Sequence, residues 1–163
     1  MNNWRKFRQL PEPEQSVLLA ALVLLPAVRV GLHTLGFRRV LALLDRCHGA
    51  HTVVRASASD LSIVASLSDA NLAYRTRRTA RLVAVAAGYA GGTCLAHSLV
   101  LMRLLERQGI PAQLRIGVRK GENGFEAHAW VESRGTVLND GSDVSDRFAA
   151  FDRNFALARG NWQ

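Results

Sequence analysis

Apolar residues are concentrated in a few blocks of this chain, and the first block predicts a helix. It runs from Val17 to Val28 and follows two prolines. Ser16 is a candidate N-cap, so we expect one long helix from Ser16 to about Leu44, bent at its proline and loosened at its two glycines. The block is too short to span a bilayer, which favours a core helix over peripheral membrane contact.

A second helix is expected before the middle of the chain, whereas residues 53–67 give no clear pattern. It should run from Ser68 or Asp69 to about Ala87, with four arginines along one face. The simplest interpretation of those arginines is a solvated helix face, and a surface for phosphate or an acidic peptide is the alternative. The glycine-rich run Gly88–Gly92 then breaks the chain.

The third block predicts a buried central helix that starts at or beside Cys94. Thr93 can cap this helix, apolar residues surround most of its circumference, and Gly109 and Pro111 end it. Free N–H groups and the helix dipole at its start favour a thiolate and can donate to an oxyanion. A cysteine that only fills a core needs neither a glycine-rich approach nor a helix start. Cys94 is therefore a candidate nucleophile.

Alternation of polar and apolar residues in the last third of the chain predicts three strands. They are residues 112–119, 125–132 and 137–140. The second strand carries His128 on the same face as Trp130, and the third strand ends at Asp140. These strands should form a small antiparallel sheet.

The length of the loop between the last two strands decides whether Asp140 can face His128. A two-residue turn after Ser133 would turn Asp140 to the opposite face of the sheet. A three-residue loop, Ser133 to Gly135, would set His128 directly opposite Asp140, with Cβ atoms about 4.5–5.5 Å apart. We therefore predict the three-residue loop, with Asn139 as the substitute if Asp140 points away.

A cysteine at a helix start, a histidine in a strand and an aspartate at a strand end are the parts of a thiol nucleophile system. We predict that Cys94, His128 and Asp140 form a catalytic triad. A zinc site that adds His97 to these three is the alternative, but a triad explains the spacing without metal. Cys47 with the histidine after it is weak evidence for zinc. The residues predict no metal and no cofactor.

Composition narrows the function classes. The chain has 163 residues, 48% of them apolar, which suits a globular protein with its own core. Two cysteines are too few for a disulfide framework, so we expect a reducing, cytoplasmic setting. The net charge of +8 permits binding to nucleic acid. No helix-turn-helix or zinc pattern accompanies the charge, so we do not predict a nucleic-acid partner.

Several motifs together resemble the transglutaminase-like peptidases of lasso-peptide biosynthesis. The resemblance is close from about Thr93 to Asp152 and looser in the helical N-terminal part. The motifs are Cys94-Leu95-x-x-Ser98-Leu99, Gly109-Ile110-Pro111-Ala112, Ile116-Gly117-Val118, Ala127-His128-Ala129-Trp130-Val131-Glu132, Leu138-Asn139-Asp140 and the tail from Phe148 to Asp152. One departure is His97, which stands where much of that family has an arginine.

The resemblance implies an α+β fold with a papain- or transglutaminase-like core. A helical region, residues 1–88, would pack on a catalytic core, residues 89–163. Cys94 would be the nucleophile, His128 the general base and acid, and Asp140 the orienting carboxylate. The activity implied is removal of the leader from a ribosomally made precursor peptide. The first ninety residues predict no strand-rich recognition domain, so a separate leader-recognition protein and a macrolactam synthetase are the implied partners.

Two other functions stay open at this point. A transglutaminase-like acyl transferase would use the same triad, and whether water or an amine resolves the acyl-enzyme depends on the pocket. A non-enzymatic basic binding domain would rest on the charge alone.

Overall fold

The computed structural model of the protein describes residues 8–46, 63–122 and 124–151. Its elements in chain order are α1 (Glu12–Thr34), α2 (Phe37–Arg46), α3 (Ile63–Ala90), α4 (Cys94–Arg107), β1 (Gln113–Gly121), β2 (Gly124–Ser133), β3 (Thr136–Val137), α5 (Val144–Arg147) and β4 (Ala149–Ala150). Helices come first, and the helix that starts with the cysteine packs on a small antiparallel sheet. The predicted α+β class is therefore confirmed.

The predicted long first helix is two helices, because the chain turns at Gly36. α1 starts at Glu12 with a proline in its first turn, where the missing N–H of proline costs nothing. Ser16 therefore lies inside α1 and is not its N-cap. Pro26 stays within α1, whereas Gly36 has φ +78°, a left-handed conformation that separates α1 from α2. Cys47 and the histidine after it lie outside the described residues.

α3 is longer than predicted and is tied to α1 by an ion pair. It starts at Ile63, so Asp69 lies in its second turn and not in its first. Arg78 of α3 donates two hydrogen bonds to Glu14 of α1, at 2.9 and 2.7 Å. α3 also continues to Ala90, past the boundary we placed after residue 88. That division of the chain stays a prediction.

α4 matches its prediction and lies at the centre of the core. It starts at Cys94 and is followed by Gly109 at φ +71°, the left-handed C-terminal glycine expected there. Its buried residues are Ala96, Ser98, Leu99, Val100, Leu101, Met102, Arg103, Leu104 and Leu105. The apolar ones join buried residues of α1, α3, β1 and β2 in one cluster. Each large apolar side chain buried in this way stabilises the fold by roughly 1.5–3 kcal/mol.

The sheet has the strand order β3-β2-β1-β4, and each neighbouring pair is antiparallel. β4, a two-residue strand that the sequence did not predict, pairs with β1. The two faces of β2 have different neighbours. Ala129 and Val131 lie in the cluster with α4, whereas Trp130 is fully buried against Val144 and Phe148.

The prediction of a three-residue loop between β2 and β3 is wrong. Ser133 pairs with Thr136, which leaves a two-residue turn at Arg134 and Gly135. Both turn residues have positive φ, +49° and +74°, as a type I′ hairpin requires. The backbone twist of such a turn matches the right-handed twist of the flanking strands.

One described helix, α1, is long and apolar enough to cross a membrane by length and composition, with a mean hydropathy of 1.9 over its most apolar window. Only 17% of that window is buried. Its buried residues, Ala21, Leu25 and Val28, nevertheless lie in the cluster around α4. α1 therefore contributes one face to the core, as predicted, although it is longer than the apolar block.

Candidate active site

Cys94 is the first residue of α4 and its side chain is exposed. Thr93 is the N-cap: its backbone is extended, and its hydroxyl accepts a hydrogen bond from the Ala96 N–H at 3.3 Å. Arg29 of α1 donates to the carbonyl of Gly91 at 2.6 Å, and Gly91 has φ +63°. The cap and this bond fix the chain on its approach to Cys94. The thiol is thus open to a substrate at the positive end of the helix dipole.

His128 lies in β2 and its ring is bound by Asp140. Nε2 of His128 faces Oδ2 of Asp140 in a very short contact. Because an ionised carboxylate can only accept, Nε2 carries the hydrogen in this pair. The other ring nitrogen, Nδ1, is then the one with a free lone pair. A histidine in this tautomer can accept a proton from a thiol at Nδ1.

Asp140 has three partners, which together keep it ionised. Burial raises the pKa of Asp140, but hydrogen bonds from the Gly141 N–H, His128 and Arg147, with the charge of Arg147, outweigh burial and lower the pKa overall. Gly141 N–H donates to Oδ1 at 2.6 Å, and Arg147 Nη2 donates to the same oxygen. Oδ2 of Asp140 therefore accepts from His128, and Oδ1 accepts from Gly141 and Arg147.

Two aromatic rings neighbour the His128 ring. Phe148 stacks with it at 4.9 Å between centroids, with 29° between the planes. Trp130, on the same face of β2, lies 6.2 Å away, and its Nε1 donates to Glu132 at 2.8 Å. Such stacking limits rotation of the imidazole and excludes water from one of its faces.

Asp140 reaches His128 even though the turn has two residues, because β3 ends early. In a regular continuation of the ladder the Val131 N–H would donate to the carbonyl of Leu138. The Leu138 N–H does donate to Val131 at 2.9 Å, but the Val131 N–H donates to the side-chain oxygen of Asn139 instead, at 2.7 Å. The chain leaves the sheet there. Asp140 therefore does not follow the alternation of side chains along a strand, which would have turned it away from His128.

α4 is docked to β2 one turn beyond Cys94. Ser98, four residues along the helix, donates from its hydroxyl to the carbonyl of Ala129 at 2.9 Å. Residues four apart share one helix face and lie about 6 Å apart along the axis. Cys94 therefore lies on the face of α4 that meets β2, one helical turn from the Ser98–Ala129 hydrogen bond. Among the described residues no hydrogen bond joins Cys94 to His128.

His97 lies one turn after Cys94 and is largely enclosed by protein. Its Nε2 is buried and has no hydrogen-bond partner. Burial lowers the pKa of His97 because it penalises the charged imidazolium. At neutral pH His97 is therefore an uncharged side chain, unlike an arginine at the same position.

The low pKa of His97 predicts a pH dependence of stability. Below pH 6.5 the unfolded chain takes up a proton at this residue while the folded chain resists it, so the free energy of unfolding should fall as the pH falls. Urea unfolding of the wild type and His97→Gln at pH 8 and pH 5.5 measures this. The free energy of unfolding of His97→Gln relative to that of the wild type should be greater at pH 5.5 than at pH 8. His33→Gln, a change at an exposed histidine, should show no such shift, and equal behaviour of both variants would contradict the expectation.

Gly117 provides the space in which Phe148 packs beside His128. It pairs with His128 across β1 and β2. A Cβ at Gly117 would lie 3.0 Å from the carbonyl oxygen of Ala149, 3.0 Å from the Trp130 ring and 3.1 Å from Cβ of Phe148. We expect Gly117→Val to lower the free energy of unfolding by about 1–3 kcal/mol, as overpacking does.

Thermal or urea unfolding measures the effect of Gly117→Val. Gly88→Ala is the matched control, because Gly88 lies inside α3 and a Cβ there meets nothing within 4 Å. That change should stabilise by about 0.5–1 kcal/mol, since alanine is the better helix former. A Gly117→Val protein as stable as the wild type would contradict the packing described here.

The structure brings His128 and Asp140 into contact and places Cys94, exposed, at the start of α4. The zinc alternative receives no support: within residues 8–46, 63–122 and 124–151 no three His, Cys, Asp or Glu side chains are grouped to hold a metal ion. Arg147 and the contact of Phe148 with His128 were not predicted from the sequence. Arg147 lies seven residues after Asp140 in a segment without periodicity, so no pattern pointed to it.

Comparison with known proteins identifies a family. The family model described as the transglutaminase-like superfamily matches residues 23–152. The microcin J25-processing protein McjB of Escherichia coli is similar, at 41% identity over 56 residues, which are 34% of this chain. The match spans only 26% of that protein's own length. No solved structure gives a significant match.

Proposed function

The chain belongs to the transglutaminase-like superfamily, and from this premise we propose that it is a cysteine peptidase. Its substrate would be the precursor of a lasso peptide, from which it removes the leader. Two observations support the proposal, the His128–Asp140 pair and the exposed cysteine at the start of a helix that is docked to the strand of His128. The similarity to a microcin-processing protein supports the class of substrate.

The proposed reaction has two halves. In the first, Nδ1 of His128 takes the proton of the Cys94 thiol, and Sγ attacks the carbonyl carbon of the scissile peptide bond. The N–H groups at the start of α4 donate to the oxyanion that forms. The imidazolium then gives its proton to the departing amine, which is the new N-terminus of the core peptide. The leader is left as a thioester on Cys94.

In the second half water replaces the core peptide. Nδ1 of His128 takes a proton from the water, whose oxygen attacks the thioester carbonyl. The tetrahedral intermediate collapses, and the sulfur of Cys94 leaves and regains a proton. The leader departs with a free carboxylate. Asp140 accepts the Nε2 hydrogen of His128 throughout and stabilises the imidazolium in both halves.

The proposed partners are a leader-recognition protein and a macrolactam synthetase that closes the ring afterwards. The described residues before Cys94 are helical and include no strand. The similarity to a protein named for processing microcin J25 supports a role in such a system. We propose a cytoplasmic setting for all three, since the two cysteines give no disulfide framework.

Cleavage in oxygen-18 water tests this function. The protein is incubated with the precursor encoded beside it, with and without the recognition protein, and the products are analysed by mass spectrometry. Hydrolysis predicts separate leader and core fragments, with one oxygen-18 atom in the new carboxylate of the leader. A leader joined to an amine and free of oxygen-18 would instead support an acyl transferase. An intact precursor in every mixture would overturn the proposal.

A further inference from the structure

We infer that Ser98 and Asn139 are positioning residues, whose side chains hold the segments carrying Cys94, His128 and Asp140 in one arrangement. The inference rests on the proposed function, because it concerns the geometry of that reaction. Each of the two side chains is adjacent to the machinery without belonging to it. Ser98 lies one helical turn after Cys94, and Asn139 immediately precedes Asp140.

The Ser98 hydroxyl has no exposed surface and uses both of its hydrogen-bonding functions. It donates to the carbonyl of Ala129, the residue after His128, at 2.9 Å. It accepts from Nδ2 of Asn139, also at 2.9 Å. A hydroxyl has one hydrogen to give, so its single donor is fixed on β2 and its acceptor on the segment before Asp140. All three chain segments therefore meet at this oxygen.

The Asn139 amide is used at both ends as well. Nδ2 donates to Ser98, and Oδ1 accepts from the Val131 N–H at 2.7 Å. The bond from the Val131 N–H takes the place of the backbone hydrogen bond that would continue the pairing of β3 with β2. The chain therefore turns out of the sheet. Because Asp140 follows directly, the same bond decides where the carboxylate lies. An aspartate in a regular third strand would point away from His128.

These bonds matter for the reaction because proton transfer and thiol attack depend on distance. A displacement of about 1 Å at a catalytic group can cost roughly 10²-fold in rate. Cys94 and His128 are on different elements and have no hydrogen bond to each other, so their separation is set by how α4 sits on β2. The Ser98–Ala129 and Ser98–Asn139 hydrogen bonds fix the position of α4 on β2, and they lie within one helical turn of the thiol.

Three variants separate the contributions of these bonds. Ser98→Ala removes both bonds of the hydroxyl. Asn139→Asp keeps an oxygen for the Val131 N–H but removes the donor to Ser98. Asn139→Ala removes both bonds of the amide. Ser133→Ala is the matched control. The buried Ser133 hydroxyl, at the C-terminal end of β2, also donates to a backbone carbonyl, that of Pro111, at 2.6 Å.

Two rates are measured for each folded variant. The first is cleavage of the precursor, resolved into kcat and KM. The second is alkylation of Cys94 by iodoacetamide between pH 5 and pH 9, read by peptide mapping and compared with His128→Ala. The alkylation rate reports how His128 acts on the thiol and does not require a peptide substrate. A purely structural role would change stability without changing the pH profile.

We expect kcat to fall about 10-fold in Ser98→Ala and Asn139→Asp and about 10²-fold in Asn139→Ala, with KM within about twofold of wild type. Their alkylation profiles should move towards that of His128→Ala, and Ser133→Ala should match the wild type. Profiles and kcat equal to those of Ser133→Ala would overturn the inference. If the wild type does not cleave the precursor, the peptidase proposal fails, and the alkylation profiles alone decide the positioning role.

Discussion

His128→Ala is expected to lower kcat for leader cleavage by about 10⁴-fold or more, with the fold intact. In the proposed reaction the imidazole is required twice, once to take the thiol proton and once to protonate the departing amine. Losses of this size are ordinary when one member of such a system is removed. Steady-state kinetics with the precursor measure the effect, and circular dichroism establishes that the variant is folded.

His33→Ala is the control for that loss, since His33 is exposed near the end of α1. Its kcat should equal that of the wild type. A His128→Ala protein that retained more than about a tenth of the wild-type kcat would contradict the role assigned to His128. Another base would then have to take the thiol proton.

Asp140→Asn is expected to lower kcat by about 10²- to 10⁴-fold. A neutral amide cannot stabilise the imidazolium of His128 as a carboxylate does, and it can hold the ring in the wrong tautomer. Arg147 also loses one of its two anionic partners. Asp143→Asn is the matched control, because Asp143 is the other carboxylate paired with Arg147, at 2.9 Å.

The same substitution has a pH signature in stability. The folded-state pKa of Asp140 lies below its ordinary value, so the ionised form stabilises the fold above about pH 4, and this stabilisation is lost as the pH falls through the folded-state pKa. Asp140→Asn should therefore be less stable than the wild type at pH 7, and the gap should narrow at pH 3. Urea unfolding at the two values measures it. A gap that widened at pH 3 would show that Asp140 is not held as an anion.

The elements that carry the site followed from the sequence where local signals agreed. Thr93, the glycine-rich approach and the apolar run after Cys94 all indicated one helix start, and α4 begins there. Alternation placed His128 and Trp130 on one face of β2, where they are found. Periodicity and capping depend on neighbours in sequence, which explains why these predictions are confirmed.

The failures concern interactions between segments distant in sequence. The strand count required Asp140 to lie in a regular β3, but the Asn139 side chain takes the Val131 N–H and ends the strand early. The contact with His128 was therefore expected for a wrong reason. We expected Gly36 only to loosen one long helix, but it separates α1 from α2. Tertiary packing decides whether a glycine adopts positive φ, so the sequence alone did not indicate this break. β4 and Arg147 had no local signal at all.

The central claim is that Cys94 carries the leader as a thioester, and intact-protein mass spectrometry tests it most directly. The reaction with the precursor is quenched in acid during turnover, and the mass of the protein is measured. We expect an added mass equal to the leader minus water on the wild type and on Cys47→Ala, mapped to Cys94. Cys94→Ala should show neither the adduct nor cleavage. Cleavage by Cys94→Ala, or an adduct on another residue, would contradict the account.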